Sequence, residues 1–189
     1  MLIAHLPAGY VCTRLVLSQT ATPVSEADRK IWFLAGMAAS VLPDTDVAFY
    51  YLRYYLTGQW WPPHHAYVSH TPFFWLVILT ALWIASRWVG QRRLRGAIGI
   101  AGVNLLLHFL LDSIPTKVKW LYPFSNRAFG VFVVTIRSDW WVWDRLFNWT
   151  FGLELLIVAL GLYAVIKDVW PAPGCIHGAL SALNRVGGE

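Results

Sequence analysis

His108 and Asp112 lie four residues apart near the end of a long apolar run that starts close to Leu94. The run is long enough to cross a bilayer, and a spacing of four places both side chains on one face of a helix. Ionisable groups at the end of a membrane helix are costly unless they face a cavity, one another or a cation. Because an imidazole nitrogen and a carboxylate oxygen both suit a divalent cation, we expect this pair to form the centre of a metal site. An ion pair that packs two helices together is the alternative.

Two further carboxylates, Asp44 and Asp46, follow a proline in the segment Leu42-Pro-Asp-Thr-Asp46. The pattern predicts that a helix ends at Leu42, so both carboxylates would face the negative end of its dipole. No basic residue is adjacent in sequence, and a divalent cation between the carboxylates would relieve their repulsion. The alternative is a plain turn in which the aspartates open the following helix as caps.

Most of the histidines lie near this same end of the expected helices. His64 and His65 belong to a polar and aromatic loop at 57–69, and His70 directly precedes Thr71-Pro72, a favourable helix start. Neutral imidazole is the commonest metal-ligand side chain, so we expect this loop to contribute ligands. A polar loop that is rich in histidine without binding metal is the alternative.

The elements that position these residues are expected to be membrane helices. Of the 189 residues, 57% are hydrophobic and 13% are charged, whereas about a quarter of residues are charged in soluble domains. The composition indicates an all-α, polytopic membrane bundle with its metal site at one membrane face, formed by a single domain over 1–170 and followed by a tail over 171–189. Apolar stretches predict three full spans, at 73–89, 94–114 and 150–166. Short or partial helices are expected at 7–18, 25–42 and 47–56, and the last span is expected to run unbroken from Trp140.

An arginine-rich loop sets the expected orientation. Arg87, Arg92, Arg93 and Arg95 lie between two expected spans, and short basic loops stay in the cytoplasm. The candidate ligands fall at the opposite ends of those spans, so we expect the site on the non-cytoplasmic side of a multi-pass protein. At headgroup depth it would meet a phosphate ester of a membrane lipid, with several basic side chains available to the oxygens: Arg53, Lys117, Lys119, Arg127 and Arg137. No basic run is interleaved with stacking aromatics, so nucleic acid is not an expected partner.

These motifs together resemble a bacterial family of membrane-bound, metal-dependent hydrolases, one branch of which is described as LexA-binding and inner-membrane-associated. The resemblance rests on five segments within residues 1–125: His5-Leu-Pro-Ala-Gly-Tyr10, Leu42-Pro-Asp-Thr-Asp46, His64-His with Ser69-His-Thr-Pro-Phe-Phe-Trp75, His108-Phe-Leu-Leu-Asp112-Ser, and Trp120-Leu-Tyr-Pro-Phe124. It implies a location in the bacterial inner membrane, and it brings His5 into the candidate ligand set.

The order of the ligands is also similar to that of zinc-dependent phospholipase C. By that similarity, one zinc would be held by Asp44 or Asp46 together with His70, His108 and Asp112. A second would lie between His5 and Asp112. A further metal of that enzyme is held by downstream histidines, and this chain has none between His108 and His177, so that third site is expected to be absent.

The favoured hypothesis is a membrane-embedded hydrolase with one or two zinc ions, in which a metal-activated water attacks a phosphodiester or another ester, for instance at a phospholipid headgroup. Asp44 or Asp46 would take the proton as the catalytic carboxylate. A second hypothesis is a non-catalytic membrane protein whose structural metal or polar cluster supports a scaffold or regulatory role. A transporter is a weaker third hypothesis, because the ionisable groups lie at span ends and not at the bilayer midplane. Which of His64, His65 and His70 binds, and the oligomeric state, are left open by the sequence.

Overall fold

The computed structural model describes residues 1, 3–20, 24–59, 67–135, 137 and 141–169. Within these ranges the regular elements are helices, apart from an isolated antiparallel bridge between Val118 and Phe129. The α-helices are α1 (His5–Ser18), α2 (Glu26–Val41), α3 (Asp46–Thr57), α4 (Pro72–Trp88), α5 (Arg92–Asp112), α6 (Trp141–Leu146) and α7 (Trp149–Val169). Single 3-10 turns, Leu42–Thr45 and Val68–His70, precede α3 and α4. The expected all-α class is confirmed.

Helix α5 lies at the centre of the bundle, where α2 packs along it most extensively and α1 and α4 also pack against it. Small and polar residues lie among the side chains buried between α1, α2 and α5. Asn104 Nδ2 donates to Thr13 Oγ1 at 3.0 Å, and both side chains are fully buried. A Cβ added at Gly36 would collide with Thr13 Oγ1 and would lie 2.9 Å from Ile100 Cγ2. Close approach at small residues, with hydrogen bonds across the interface, is typical of membrane helices.

The outer surface of α5 carries leucines, and its inner surface carries polar side chains among apolar ones. Leu106 and Leu110 are 51% and 50% exposed, while Asn104 and His108 are buried. A helix that faced water would present polar side chains on its outer surface. The outward leucines therefore face lipid.

Two helices of the described residues, α5 and α7, are long and apolar enough to cross a membrane, with 21 residues each. The prediction of three spans is wrong in this respect. The predicted span at 73–89 corresponds to α4, whose 17 residues extend only about 26 Å at 1.5 Å per residue, less than the ~30 Å hydrocarbon core. The helix ends lie within one residue of the predicted 73–89, and Thr71-Pro72 is the helix start as predicted, so the error lies in counting 17 apolar residues as a full span.

Helix termini follow local capping chemistry. Ser25 Oγ accepts a hydrogen bond from the backbone N–H of Asp28, so α2 begins where its capping box predicts. The predicted unbroken helix before α7 is wrong, because the chain breaks between Leu146 and Trp149. Asn148 Oδ1 accepts from the backbone N–H of Thr150 at 3.1 Å, and Asn is a preferred N-cap residue. The predicted start at 138–140 and the tail over 171–189 lie outside the described residues.

The bundle is closed by contacts between α1 and α7 at both ends of these helices. At one end, Glu154 Oε2 accepts a hydrogen bond from the backbone N–H of Ile3 at 2.9 Å. At the other end, Arg14 Nη2 lies 2.7 Å from Asp168 Oδ1. The first and last helices are therefore joined along their length.

Candidate metal centre

The centre is built on the last turn of α5, where His108 and Asp112 are 1% and 0% exposed. His108 Nδ1 lies 2.9 Å from the backbone oxygen of Ser40 on α2. A carbonyl oxygen only accepts, so Nδ1 carries the hydrogen and Nε2 of the neutral ring keeps its lone pair. That Nε2 is buried and makes no hydrogen bond within the described part of the chain. An imidazole that donates one N–H to a carbonyl and presents its other nitrogen unpaired is the usual arrangement of a metal-ligating histidine.

His5, the first residue of α1, stacks on His108 with 3.9 Å between ring centroids and 21° between planes. Its Nε2 lies 3.0 Å from Asp112 Oδ1. The amine of Met1 also contacts Asp112 Oδ1. Burial lowers the pKa of His5, and the hydrogen bond and negative charge of Asp112 oppose this effect without overcoming it. A neutral imidazole, the form that binds metal, is therefore favoured at His5.

Asp44, in the turn Leu42–Thr45, completes the group. Its Oδ2 lies 3.6 Å from His5 Nε2, and its Oδ1 lies 3.7 Å from His108 Nε2. Asp44 is 30% exposed, whereas the other three side chains are buried. The cluster is thus closed by protein on the α5 side and reached by solvent at Asp44.

His5, Asp44, His108 and Asp112 can each offer a ligand atom, with all four atoms within 4.8 Å of one another. Four of the separations between imidazole nitrogens and carboxylate oxygens are 3.0, 3.4, 3.6 and 3.7 Å. Ligand atoms at tetrahedral positions about 2.0–2.1 Å from a zinc ion would be about 3.3–3.4 Å apart. These four separations involve both oxygens of each carboxylate, and the two imidazoles and two carboxylates together form a group that could hold a metal ion.

Asp46 lies beside this group and not within it. It is the first residue of α3 and is buried, and Oδ2 accepts from Ser69 Oγ at 3.0 Å. A carboxylate in the first turn of a helix faces the positive end of the dipole. The expectation that Asp44 and Asp46 both face the negative end of α2 is therefore wrong, because the turn Leu42–Thr45 separates α2 from these carboxylates and Asp46 opens α3.

His70 links Asp46 to the centre. Its Nδ1 lies 3.3 Å from Asp46 Oδ2, and its Nε2 lies 2.8 Å from Asp112 Oδ2. Burial lowers the pKa of His70, but the hydrogen bonds and charges of the two carboxylates outweigh burial and raise the pKa to about 9. His70 is thus protonated at neutral pH with this arrangement of partners. His64 and His65, the other expected ligands of this loop, lie outside the described residues.

Two charged residues near the centre do not appear among the sequence-based candidates. Glu154, 2% exposed, accepts the Ile3 hydrogen bond that holds the segment leading to His5. The sequence could have identified Glu154, because it is an isolated acidic residue within an apolar span. Arg145, on α6, is half-buried, its Nε makes no hydrogen bond within the described residues, and the charges of Asp112 and Glu154 act on its guanidinium. Burial lowers the pKa of Arg145. No periodic pattern marks this residue, because α6 has only six residues.

Of the basic residues expected to serve a phosphate, Arg53 and Lys119 are half-buried and the other three are exposed. Lys117, Arg127 and Arg137 are exposed. The Lys119 ammonium lies 5.9 Å from the centroid of the Tyr122 ring.

Comparison with known proteins gives the chain a family and a location. No curated protein and no solved structure matches it. Residues 1–172 match a family described as YdjM inner membrane protein. The match covers each described helix from α1 to α7, including the residues of the candidate centre. The chain therefore belongs to the YdjM inner membrane protein family.

Proposed function

We propose that this protein is a membrane-embedded, metal-dependent hydrolase that cleaves a phosphodiester or another ester of a membrane lipid, using one or two zinc ions. The observation that carries the proposal is the convergence of two imidazoles and two carboxylates from α1, the turn after α2, and α5. Ionisable groups so placed in a membrane protein are costly unless a cation or a reaction uses them. The resemblance to metal-dependent hydrolases points the same way.

A catalytic role is favoured over a structural one by the accessibility of Asp44. Structural zinc sites are closed by protein ligands, whereas catalytic sites keep a position for water or substrate. Here His5, His108 and Asp112 are buried, and Asp44 at 30% exposure forms an open side. Substrate and water would enter there.

The buried His5, His108 and Asp112 would hold the ion, and the side facing Asp44 would keep a position for water. A bound divalent cation lowers the pKa of a water and polarises a phosphoryl oxygen. In the reaction, water attacks the phosphorus, the bond to the leaving oxygen breaks, and the proton of the water passes to a carboxylate. We assign that role to Asp44, because solvent reaches it, with Asp46 as the second candidate.

Two cationic groups beside the cluster favour a phosphoester over a neutral ester. The guanidinium of Arg145 lies within the electrostatic reach of Asp112. His70 carries a positive charge at neutral pH and contacts Asp112 Oδ2. Positive groups fixed next to the reacting centre stabilise the charge that develops on phosphoryl oxygens. A carboxylic ester develops less negative charge and would use them less.

The proposed site lies on the non-cytoplasmic face of the inner membrane. Helix α5 carries Arg92, Arg93 and Arg95 in its first turn and Asp112 as its last residue. These ends are about 30 Å apart along the helix axis. Basic residues next to a span favour the cytoplasmic side, so the opposite end of α5 would face outward.

The first test is the metal content of the protein purified in mild detergent. We expect bound zinc in the wild type and a loss of most of it in Asp112→Asn, which removes a ligand and keeps the side-chain volume. Asp168→Asn is the matched control, because Asp168 pairs with Arg14 at the far end of α7. Wild-type protein without zinc, manganese or iron, or equal metal content in Asp112→Asn and the control, would exclude the proposed centre.

The second test separates phosphoesters from neutral esters. The purified protein is assayed with bis(p-nitrophenyl) phosphate and with p-nitrophenyl butyrate. Hydrolysis of the phosphate ester of phospholipids is followed separately in mixed micelles. Arg145→Gln should lower kcat/KM for the phosphodiester and leave the butyrate rate unchanged. Metal-loaded protein with no turnover of any of these substrates, and with no exchangeable water on the metal, would favour the scaffold or regulator.

A further inference from the structure

Helix α3 starts at the candidate centre and has large side chains exposed at the surface of the described part of the chain. It begins at Asp46, and among the described elements its only extensive contacts are with the turn Leu42–Thr45. Its large exposed side chains are apolar or aromatic, with exposed fractions from 39% to 86%: Phe49, Tyr51, Leu52, Tyr54, Tyr55 and Leu56. A helix that faced water would present polar side chains in these positions.

These six side chains form one continuous face. At 100° per residue they fall within an arc of about 220°. The opposite side of the helix carries Asp46, which is buried, and Arg53 and Tyr50, which are half-buried. The helix therefore has one side turned toward the centre and one apolar side turned away from the protein.

The position of α3 fixes the depth of this apolar face. Asp46 is joined through His70 to Asp112, the last residue of the 21-residue span α5. Helix α3 therefore starts at the level where that span ends. Leu110, within one turn of Asp112, is 50% exposed, so the lipid-facing surface of α5 reaches almost to this level.

The length and composition of α3 fit the membrane surface better than its interior. Its 12 residues extend only about 18 Å, too short to cross a bilayer. Four of them are tyrosines, and tyrosine is enriched where hydrocarbon meets headgroups. Short helices with an apolar face lie in the plane of this interface.

We infer that α3 is an interfacial helix whose apolar face rests in the headgroup and upper acyl region of the bilayer, so that the partner of this surface is lipid. The opposite side of α3 then holds Asp46 and the turn carrying Asp44 at headgroup depth. The inference concerns where α3 lies and does not depend on the proposed hydrolysis. It requires no bound metal.

Depth-dependent fluorescence quenching tests this placement. In a full-length Cys12→Ser/Cys175→Ser background, Tyr55→Cys is labelled with an environment-sensitive fluorophore and reconstituted in phosphatidylethanolamine–phosphatidylglycerol vesicles. Leu52→Cys repeats the measurement on the same face. Leu106→Cys serves as the control for deep lipid, and Ser18→Cys, exposed at the end of α1, serves as the control for water.

We expect labels at Tyr55 and Leu52 to be quenched most by lipids carrying a nitroxide near the headgroup, and the label at Leu106 most by lipids carrying it near the chain end. Iodide should quench the label at Ser18 strongly and those on α3 weakly. Iodide quenching on α3 equal to that at Ser18 would show that α3 lies in water and would overturn the inference. Shielding of α3 from both quenchers, stronger at higher protein density in the vesicles, would assign the face to a second copy of the chain and would also overturn it.

Discussion

Gly36→Ala should weaken both the fold and the candidate metal centre. Gly36 lies where α2 crosses α5, and a Cβ there would collide with Thr13 Oγ1 and lie 2.9 Å from Ile100 Cγ2 and 3.0 Å from Asn104 Nδ2. One turn further along α2, the backbone oxygen of Ser40 accepts the hydrogen bond that orients His108. A methyl group that pushes α2 away from α5 should therefore lengthen or break the hydrogen bond that orients His108.

The magnitude follows from two opposing effects. Alanine in a helix interior is favoured over glycine by about 1 kcal/mol. Overpacking a tight interface costs about 1–3 kcal/mol, so Gly36→Ala should lie between no change and about 2 kcal/mol of destabilisation. Gly99→Ala on α5 is the matched control, because a Cβ there meets nothing within 4 Å. Gly99→Ala has the same gain in helix propensity without the steric collision expected at Gly36. The two variants should therefore differ in free energy of unfolding by about 1–3 kcal/mol.

Thermal unfolding in detergent, followed by tryptophan fluorescence, measures this difference. For a chain of this size each kcal/mol corresponds to a shift in Tm of about 2–4 °C. Loss of the Ser40–His108 hydrogen bond should also weaken zinc binding by about 10–100-fold, the usual effect of removing such a supporting contact. If Gly36→Ala and Gly99→Ala melt together and bind zinc with equal affinity, the contact between α2 and α5 does not set the geometry of the centre and the reasoning is refuted.

Two further predictions concern His70 and the start of α7. In metal-free protein, the pKa of His70 is raised to about 9 from an ordinary value of 6.5, so its stabilising effect should be complete below about pH 6.5 and lost as the pH rises through about 9. Thermal melts across this range should show the decline, and a His70→Gln variant with the same slope would contradict it. Asn148→Ala removes the oxygen that accepts from the N–H of Thr150 and should cost about 0.5–2 kcal/mol of unfolding free energy. Asn148→Asp, which keeps a capping oxygen, should cost much less, and equal melting temperatures for the two variants would argue against the cap.

The sequence predicted the half of the centre that depends on local periodicity. His108 and Asp112 share a face because they lie one turn apart on a single helix, and that geometry needs no tertiary information. Their partners come from other helices. The contact between His5 and Asp112 spans 107 residues, and hydropathy does not reveal which end of α1 meets which end of α5. His5 entered the set only through a family resemblance.

The errors in the sequence-based view have local physical causes. Asp44 and Asp46 were expected to lie directly at the C-terminus of α2. In the structure, Asp44 lies within the 3-10 turn that follows α2, and Asp46 begins α3. The ends of α4 were predicted to within one residue, but its 17 residues were counted as a full span although they are too few to cross the hydrocarbon core. Glu154 could have been noticed as an isolated acid in an apolar span, whereas Arg145 on a six-residue helix has no periodicity to mark it.

The contacts between α1 and α7 have a consequence for the order in which the protein is assembled. Among the described helices, α1 is synthesised first. Two residues that hold α1 and the segment before it, Glu154 and Asp168, belong to α7, the last described helix to be synthesised. Gly161 on α7 also receives Pro7, since a Cβ at Gly161 would lie 2.6 Å from Pro7 Cβ. The four candidate ligands, His5, Asp44, His108 and Asp112, are therefore all synthesised before α7. The contacts of α7 with Ile3, Pro7 and Arg14 can form only afterwards.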